Sequence, residues 1–188
     1  MPAASRAAVA GPVRNRLTRA SLKALMEALS RSAHKGSIYK VYLVGGGTAV
    51  QAGWRDSTID ADLHADRDEI FRDIQNIKER LQLNVKFARP EDFVPPLAGS
   101  EDRHVFIGKV GNVSYYHYDP YAQLLSKIIR GFARDLADAE SFLASGMVDG
   151  ENFRKLVDAV PESVYAKYPA LSRQAVLEVV DAFLSGRK

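Results

Sequence analysis

The chain has 188 residues, of which 46% are hydrophobic and 26% are charged, and its formal net charge at pH 7 is +3. These are the values of an ordinary globular protein, and no segment is long and apolar enough to predict a membrane-spanning helix or a membrane partner. The absence of cysteine excludes disulfides, cysteine-liganded zinc and thiol nucleophiles, and it fits a reducing compartment, so we expect a cytoplasmic protein.

Residues 1–16 are rich in alanine and contain three arginines and no acidic residue. They lack the long apolar core of a secretory signal, and a flexible tail is favoured over an amphipathic targeting peptide. We therefore expect one domain over 17–188. Its sheet-containing lobe is predicted over 17–120 and its helical lobe over 121–188.

The first predicted elements alternate between helix and strand. Apolar residues at helical spacing predict an amphipathic helix over 18–33, which ends near Gly36. Apolar and β-branched residues over 38–44 predict a buried strand that runs into three glycines. A short helix over 49–54 is expected next, followed by a second strand over 58–63, in which apolar and polar residues alternate strictly.

The next segment predicts a further helix, a third strand and a hairpin. Two early acidic residues and an apolar stripe predict the helix over 70–81, and the strand follows over 83–87. Prolines predict a loop over 90–99. Two strands, over 105–110 and 113–118, are separated by a Gly-Asn turn and predict a β-hairpin.

From Tyr121 onward the chain is predicted to be helical, with breaks near Gly146 and Pro161. The whole order is helix, strand, helix, strand, helix, strand, hairpin and then helices. Such an order predicts an α/β or α+β fold whose C-terminal half is helical.

Asp60 and Asp62 are candidate metal ligands. Because side chains alternate along a strand, both carboxylates point to one side, about 7 Å apart, while Ile59, Ala61 and Leu63 point to the other. Two like charges so placed repel each other unless a cation lies between them. Mg²⁺ binds carboxylate oxygens together with water and phosphate oxygens, as in two-metal phosphoryl transfer. An Asp-x-Asp pair by itself is more often a solvated strand face.

The glycine run before these aspartates strengthens the metal-site interpretation. Glycines after an apolar strand let the backbone turn tightly and approach a ligand. Backbone N–H groups at Gly46 and Gly47, at the start of the next helix, can hold a phosphate, and the Thr48 hydroxyl adds a donor. The run is neither a P-loop nor a dinucleotide-binding fingerprint. A simple strand-to-helix turn explains the run equally well when it is considered alone.

The combined pattern resembles the nucleotidyltransferase toxins of the AbiEii and MenT group, most closely over 44–63. The matching residues are Gly46-Gly47-Thr48-Ala49, Arg55, Ser57-Thr58 and Asp60-x-Asp62-Leu63. The resemblance implies a nucleotidyltransferase-like mixed sheet with flanking helices. It also implies that Asp60 and Asp62 bind Mg²⁺ or Mn²⁺, and that the triphosphate of an NTP contacts Gly46, Gly47 and Thr48.

A second matching segment covers 127–138. At about 100° per residue, Lys127, Arg130, Arg134 and Asp138 fall within about 80° on one helix, opposite an apolar face that includes Phe132. A charged, solvated face is the plain interpretation of this pattern. The resemblance instead implies that Lys127 holds nucleotide phosphates and that Arg134 supports a phosphate or pairs internally. Asp138 is then the preferred third acid, and Asp135 and Asp119 are the alternatives.

The resemblance implies a metal-dependent transfer of a nucleotide from an NTP to an acceptor hydroxyl, with release of pyrophosphate. It suggests the 3′ end of tRNA as the acceptor, a pyrimidine nucleotide as the donor and a toxin that blocks translation. It also suggests a cognate antitoxin that is kinase-like, for which Thr58 is a candidate phosphorylation site. Two alternatives stay open: a protein or small-molecule hydroxyl as the acceptor, and a catalytically idle domain that binds a partner.

Overall fold

The computed structural model describes residues 14–186 of the chain. Within this range the strands are β1 (Leu17–Thr18), β2 (Tyr39–Val44), β3 (Ser57–Thr58), β4 (Asp60–Ala65), β5 (Asn84–Phe87), β6 (Val105–Val110) and β7 (Val113–His117). The α-helices are α1 (Arg19–Ser32), α2 (Gly46–Ala52), α3 (Ile74–Leu81), α4 (Pro120–Arg130), α5 (Ala133–Ala144), α6 (Gly150–Asp158) and α7 (Arg173–Ser185). Short 3₁₀ segments cover Asp68–Phe71, Pro90–Asp92, Ser100–Asp102 and Glu162–Lys167.

The main sheet is mixed and has the strand order β5-β4-β2-β7-β6. Its central strand β2 runs antiparallel to β4 and parallel to β7, β4 runs parallel to β5, and β6 and β7 form an antiparallel hairpin. Strands β1 and β3 form a separate antiparallel pair. This architecture confirms the predicted mixed α/β fold with flanking helices and a helical C-terminal half.

One face of the main sheet is packed, and the other carries polar side chains beside a small buried cluster that includes Tyr42 and Val44. Along β4, Ala61, Leu63 and Ala65 are buried, whereas Asp60 and Asp62 are only partly buried. The packed face meets α1 and α3 in a buried apolar cluster. Helix α1 is held at its start by a reciprocal pair of hydrogen bonds between Thr18 and Ser21, and its apolar residues recur at helical spacing.

A second buried apolar cluster lies under α4, α5, α6 and α7. The second cluster also contains Val94 and Leu97, which precede the predicted helical lobe. The assignment of 17–188 to one domain with two lobes stays a prediction. None of the helices within residues 14–186 has the length and hydropathy that a membrane crossing requires.

The predicted flexible tail over 1–16 extends only partly into the described residues, because 1–13 lie outside them. Arg14 Nη1 donates a hydrogen bond of 2.8 Å to the Leu83 carbonyl, and Asn15 forms an isolated parallel bridge with Leu83. Arg16 Nε donates to the Ser57 hydroxyl at 2.7 Å. The last three residues of the predicted tail are therefore bonded to other parts of the chain.

The helix predicted over 70–81 is divided into a 3₁₀ segment (Asp68–Phe71) and α3 (Ile74–Leu81). Three further predicted elements differ from the structure. Helix α2 begins at Gly46, inside the glycine run, rather than at residue 49. The strand predicted over 58–63 is divided, because Thr58 pairs with β1 while Asp60 begins β4 in the main sheet. Ile59 lies at this division and is 54% exposed, so it does not share the buried side of the strand with Ala61 and Leu63 as the alternation predicts. The third difference, a break in the helix predicted over 127–138, alters the site and is described below.

Candidate functional site

The acidic pair lies on the open face of the sheet, as the alternation of β4 predicts. Lys86 stands opposite Asp62 on the parallel neighbour β5, and its Nζ donates to Asp60 Oδ2 at 2.7 Å. The second oxygen of this carboxylate, Asp60 Oδ1, is buried and has no hydrogen-bond partner. A buried carboxylate oxygen without a partner is unfavourable, so this oxygen is available to bind a cation.

The charge environment of Asp62 also favours a bound cation. Burial raises the pKa of Asp62, the neighbouring Asp60 raises it further, and the cations Lys86, Arg130 and Lys127 lower it. A carboxylate whose charged form is disfavoured by burial and by a like charge gains when a metal ion binds next to it. The unpartnered Asp60 oxygen and the disfavoured charge on Asp62 therefore both fit a bound cation.

The number of ligands limits which cation site is compatible with the chain. Within residues 14–186, no three or more His, Cys, Asp or Glu side chains are grouped so as to hold a metal ion. Mg²⁺ is commonly held by one or two carboxylates together with water and substrate phosphates, rather than by a cage of protein ligands. The two carboxylates fit a divalent cation that binds together with a triphosphate.

The glycine turn lies directly against the acidic strand. Gly45 has φ +58°, a conformation that L side chains rarely adopt, and a Cβ there would lie 3.2 Å from Asp62 Oδ2. A Cβ on Gly46 would lie only 2.3 Å from Thr58 Oγ1. Both glycines are thus required for the close approach of the turn to the acidic pair. The backbone N–H of Gly45 donates to Gln123 Oε1 on α4 at 2.8 Å, which fixes the turn.

Thr48 is hydrogen-bonded to residues around the glycine turn. Its side chain is fully buried, and its hydroxyl donates to the Leu43 carbonyl at 3.0 Å. The same oxygen lies 3.2 Å from His117 Nδ1 and accepts from Gln123 Nε2 at 3.2 Å. Burial lowers the pKa of His117 to about 4, so this cluster is neutral at pH 7. In the structure the Thr48 hydroxyl stabilises the turn through these bonds, and its predicted contact with a triphosphate stays a prediction.

Lys127 is buried rather than solvated, with only 4% of its surface exposed. Its Nζ donates to Asp138 Oδ2 at 2.5 Å and to Asp135 Oδ1 at 3.3 Å. Arg55 donates to both oxygens of Asp138, from Nε at 2.7 Å and from Nη2 at 2.6 Å. Arg130 extends this network of ion pairs, because its Nε lies 3.2 Å from Asp135 Oδ2. The plain interpretation of this segment as a solvated charged face is therefore wrong for Lys127, Asp135 and Asp138.

The helix predicted over 127–138 is in fact two helices. Gly131, with φ +67°, ends α4 and donates to the Lys127 carbonyl, and α5 begins after the extended residue Phe132. Lys127 and Asp138 therefore meet across a helix pair and do not share one helical face. Phe132, which the periodicity places in the core, is 65% exposed.

The three candidates for a third acid all have structural partners. Asp138 is 2% exposed, its oxygens pair with Arg55 and Lys127, and it does not line either cleft that reaches the acidic pair. Asp119 is fully buried, caps α4 through the Tyr121 N–H and pairs with Arg103 at 2.7 Å. In the structure both carboxylates are therefore engaged by cationic side chains, and their predicted role as a third acid stays a prediction. Asp135 lines a cleft but is held by two cations.

Two clefts meet at the acidic pair and share Gly45, Asp60, Asp62 and Arg130. The first cleft has a volume of about 550 Å³, and its other lining residues are Val44, Lys86, Phe87, Ala88, Arg89, Pro90, Phe93, Gln123, Ser126 and Lys127. The second has a volume of about 420 Å³, and its other lining residues are Gly46, Arg55, Thr58, Ile59, Phe132, Arg134 and Asp135. Gly47 is buried in the first turn of α2 and lines neither of these two clefts.

The structure brings most of the predicted site residues together and adds others. Asp60, Asp62, Gly46, Thr58, Lys127 and Arg134 all line one or both clefts. The sequence interpretation did not identify Lys86, Arg89, Phe87 and Phe93. The parallel pairing of β4 with β5 brings Lys86 to the acidic pair. The sequence signal that could have identified Lys86 is the presence of a basic residue in the strand predicted over 83–87.

A comparison with protein-family models places the chain among nucleotidyltransferases. The model of the family described as nucleotidyltransferase of unknown function (DUF6036) matches residues 20–181. Comparisons with curated proteins and with solved structures gave no match. The matched range contains the glycine turn, the acidic pair, Lys127 and both clefts, and it covers most of the chain. The chain therefore belongs to this family of nucleotidyltransferases.

Proposed function

We propose that the chain is a metal-dependent nucleotidyltransferase toxin that adds a nucleotide, preferably a pyrimidine nucleotide, to the 3′ end of tRNA and so blocks translation. The observation that carries the catalytic part is the half-buried acidic pair with one unpartnered oxygen, at the junction of two clefts. The tRNA acceptor, the pyrimidine donor and a cognate antitoxin are supported by the resemblance of the glycine and aspartate pattern to the AbiEii and MenT group.

The first cleft suits the donor triphosphate. Its volume lies within the range of small-molecule sites, and four cationic side chains line it: Lys86, Arg89, Lys127 and Arg130. Lys127 is held in place by two aspartates and is therefore preorganised for phosphate contact. Two aromatic side chains in the same cleft, Phe87 and Phe93, are 55% and 61% exposed and offer surfaces to a base.

In the proposed reaction, the acceptor hydroxyl attacks the α-phosphorus of the triphosphate and loses its proton to solvent water. The bond from the α-phosphorus to the oxygen that bridges to the β-phosphate breaks, and pyrophosphate leaves. Asp60 and Asp62 would hold Mg²⁺ or Mn²⁺, which supplies charge neutralisation and acidifies the attacking hydroxyl. The cations of the first cleft stabilise the charge that develops on the leaving pyrophosphate.

Incubation of the protein with total tRNA, Mg²⁺ or Mn²⁺ and each of four α-labelled NTPs tests this proposal. We expect extension of tRNA by labelled nucleotides, most strongly with a pyrimidine NTP, on a gel that resolves single-nucleotide steps. If the label appears on a protein or small molecule and not on RNA, that molecule is the acceptor and the tRNA part of the proposal is wrong. Failure of the protein to bind any NTP in the presence of either metal ion would favour the idle-domain alternative.

A regulatory part of the proposal concerns Thr58, as the target of a kinase-like antitoxin. Thr58 lines the second cleft two residues before Asp60 and is 8% exposed. A phosphate there would add a charge of about −1.5 to −2 two residues, and so at most about 7 Å of backbone, before the first metal ligand. It would compete for the metal ion and for the arginines of the second cleft.

We expect Thr58→Glu to reduce nucleotidyl transfer by more than about ten-fold, because a negative charge at about 7 Å costs about 2 kcal/mol at an intermediate dielectric. Thr58→Gln is the matched control, since it has the same shape without the charge and should retain more activity, as should Thr58→Ser. Initial rates and thermal melts of the three variants are the measurement. Equal activity of the Glu and Gln variants would exclude an electrostatic role for phosphorylation at this position.

A further inference from the structure

The second cleft flanks the acidic pair on the side away from the cluster of lysines and arginines in the first cleft. Both clefts reach Asp60 and Asp62, and only the first contains Lys86, Arg89 and Lys127. A transfer reaction needs both substrates at the reacting centre at the same time. If the triphosphate binds in the first cleft, as the proposed function requires, the acceptor has to approach through the second.

The second cleft exposes two apolar side chains that the sequence pattern places in the core. Phe132 is 65% exposed because the chain turns outward at Gly131, between α4 and α5. Ile59 is 54% exposed because it lies between β3 and β4. The ring of Phe132 has its centroid 5.8 Å from the guanidinium carbon of Arg130. An aromatic ring beside a cation, at the mouth of a catalytic cleft, is a surface on which a nucleobase stacks.

The cations of this cleft indicate an anionic ligand. Arg55, Arg130 and Arg134 line it, and Asp135 is its only lining acid apart from the acidic pair. Asp138 holds Arg55, and Asp135 holds Arg130. The side chain of Arg134 is exposed at the start of α5. Arginine together with an exposed aromatic ring is the combination that binds a phosphodiester backbone carrying an unstacked base.

We infer that the second cleft binds the terminal nucleotides of a single-stranded RNA 3′ end, with a base against Phe132 and a backbone phosphate near Arg134. This inference rests on the proposed function and specifies where its acceptor binds. Phe132 and Arg134 are then residues that determine acceptor affinity, distinct from the residues of the first cleft that bind the triphosphate.

Binding of a fluorescent single-stranded RNA, with the sequence of a tRNA 3′ end, separates the two clefts. Phe132→Ala should weaken binding by about 5- to 150-fold, the range that corresponds to one stacked base, while Phe132→Trp should retain it. Triphosphate affinity, measured by calorimetry with Mg²⁺, should stay within two-fold in both variants. Phe93→Ala, in the first cleft, should show the opposite behaviour, with weaker triphosphate binding and unchanged RNA binding.

Salt dependence tests the role of Arg134. Arg134→Ala should lower the slope of log affinity against log salt concentration by about 0.7, the value expected for one phosphate contact on a single strand. Lys155→Ala on α6 removes an equally exposed cation outside both clefts and should leave the slope unchanged. A DNA oligonucleotide of the same sequence shows whether the cleft selects RNA.

The outcomes distinguish this inference from the proposed function. Transfer to RNA with the same RNA KM in wild type and Phe132→Ala would overturn the inference and leave the proposed function intact. The same conclusion follows if Phe132→Ala weakens triphosphate binding and not RNA binding. Transfer to a protein and not to RNA would overturn both. Failure of the wild-type protein to bind either the RNA or the DNA oligonucleotide would also overturn the inference.

Discussion

Replacement of Asp62 by asparagine is expected to abolish nucleotidyl transfer, by at least about a thousand-fold, without destabilising the fold. The loss of activity is expected because a neutral amide is a poorer ligand for Mg²⁺ than a carboxylate, so the ion at the reacting centre loses one of its two charged protein ligands. Asp60→Asn should have a similar effect on transfer. Initial transfer rates at saturating Mg²⁺ and triphosphate give the first part of the test.

The stability of Asp62→Asn gives the second part. Burial and Asp60 raise the pKa of Asp62 in the folded chain above its ordinary value, so its ionised form is disfavoured on folding. At pH values above both the unfolded and the folded pKa, the ionised carboxylate therefore lowers the free energy of unfolding. Asparagine removes this cost, and the metal-free melt at pH 7 should occur at the wild-type temperature or above it.

Asp68→Asn is a suitable control, since Asp68 is exposed and lies outside both clefts. It should change neither the transfer rate nor the melting temperature appreciably. Transfer at the wild-type rate by Asp62→Asn or Asp60→Asn would remove the acidic pair from the reaction. A large loss of stability in Asp62→Asn would instead show that the pair has a structural role.

Replacement of Lys127 by methionine is expected to reduce both stability and triphosphate binding. Methionine keeps most of the volume but removes the charge, so Asp135 and Asp138 lose their shared cation in a buried setting. Loss of one partner from a buried ion-pair network costs about 3–5 kcal/mol. Because Arg55 and Arg130 still pair with these aspartates, we expect about 3 kcal/mol, or a decrease in Tm of about 6–12 °C.

Lys86→Met is the matched control for the same change at an exposed lysine. The Lys86 side chain is 63% exposed and pairs with Asp60, and exposed ion pairs contribute about 0–1 kcal/mol. Thermal melts should therefore separate the two lysines, with a change of at most about 4 °C for Lys86→Met. A Lys127→Met protein as stable as Lys86→Met would show that the buried network does not hold the helix pair together.

Local sequence patterns predicted the parts of the site that depend on residues close together in the chain. Alternation along β4 placed Asp60 and Asp62 on one side of a strand, since the period of side-chain direction is fixed by the extended backbone. The glycine run predicted a tight turn, and the structure shows why two of its members are needed: Gly45 and Gly46 approach Asp62 and Thr58. The order of helices and strands was likewise sufficient to predict the mixed α/β fold.

The remaining features depend on contacts between distant residues. Arg55 and Asp138 are separated by 83 positions in the chain. Arg55 donates to the carboxylate of Asp138, which the sequence analysis predicted as the third acid of the site. Lys86 reaches Asp60 only because β5 pairs with β4. Thr48 has a hydroxyl that local reasoning directs to a ligand, whereas the strand carbonyl of Leu43 accepts its hydrogen bond.

Gly131 shows a different limit of pattern reasoning. The apolar periodicity continues through this position, so a single helix over 127–138 satisfies the pattern. A glycine after the last helical residue also favours a left-handed end, and in the structure this preference prevails. The resulting break exposes Phe132, which lines the second cleft, and is followed by α5, whose aspartates hold Lys127 in the first cleft.

The distribution of label between the acceptor and the released pyrophosphate shows whether the acidic pair is the centre of nucleotidyl transfer. The measurement is a parallel reaction with α-labelled and γ-labelled NTP, with acceptor RNA and Mg²⁺, in which labelled acceptor and released pyrophosphate are both quantified. If the acidic pair is that centre, the α-label alone enters the acceptor, one pyrophosphate is released per nucleotide, and Asp60→Asn and Asp62→Asn abolish both. Transfer of the γ-label to the acceptor, or unchanged pyrophosphate release by these variants, would contradict this role of the pair.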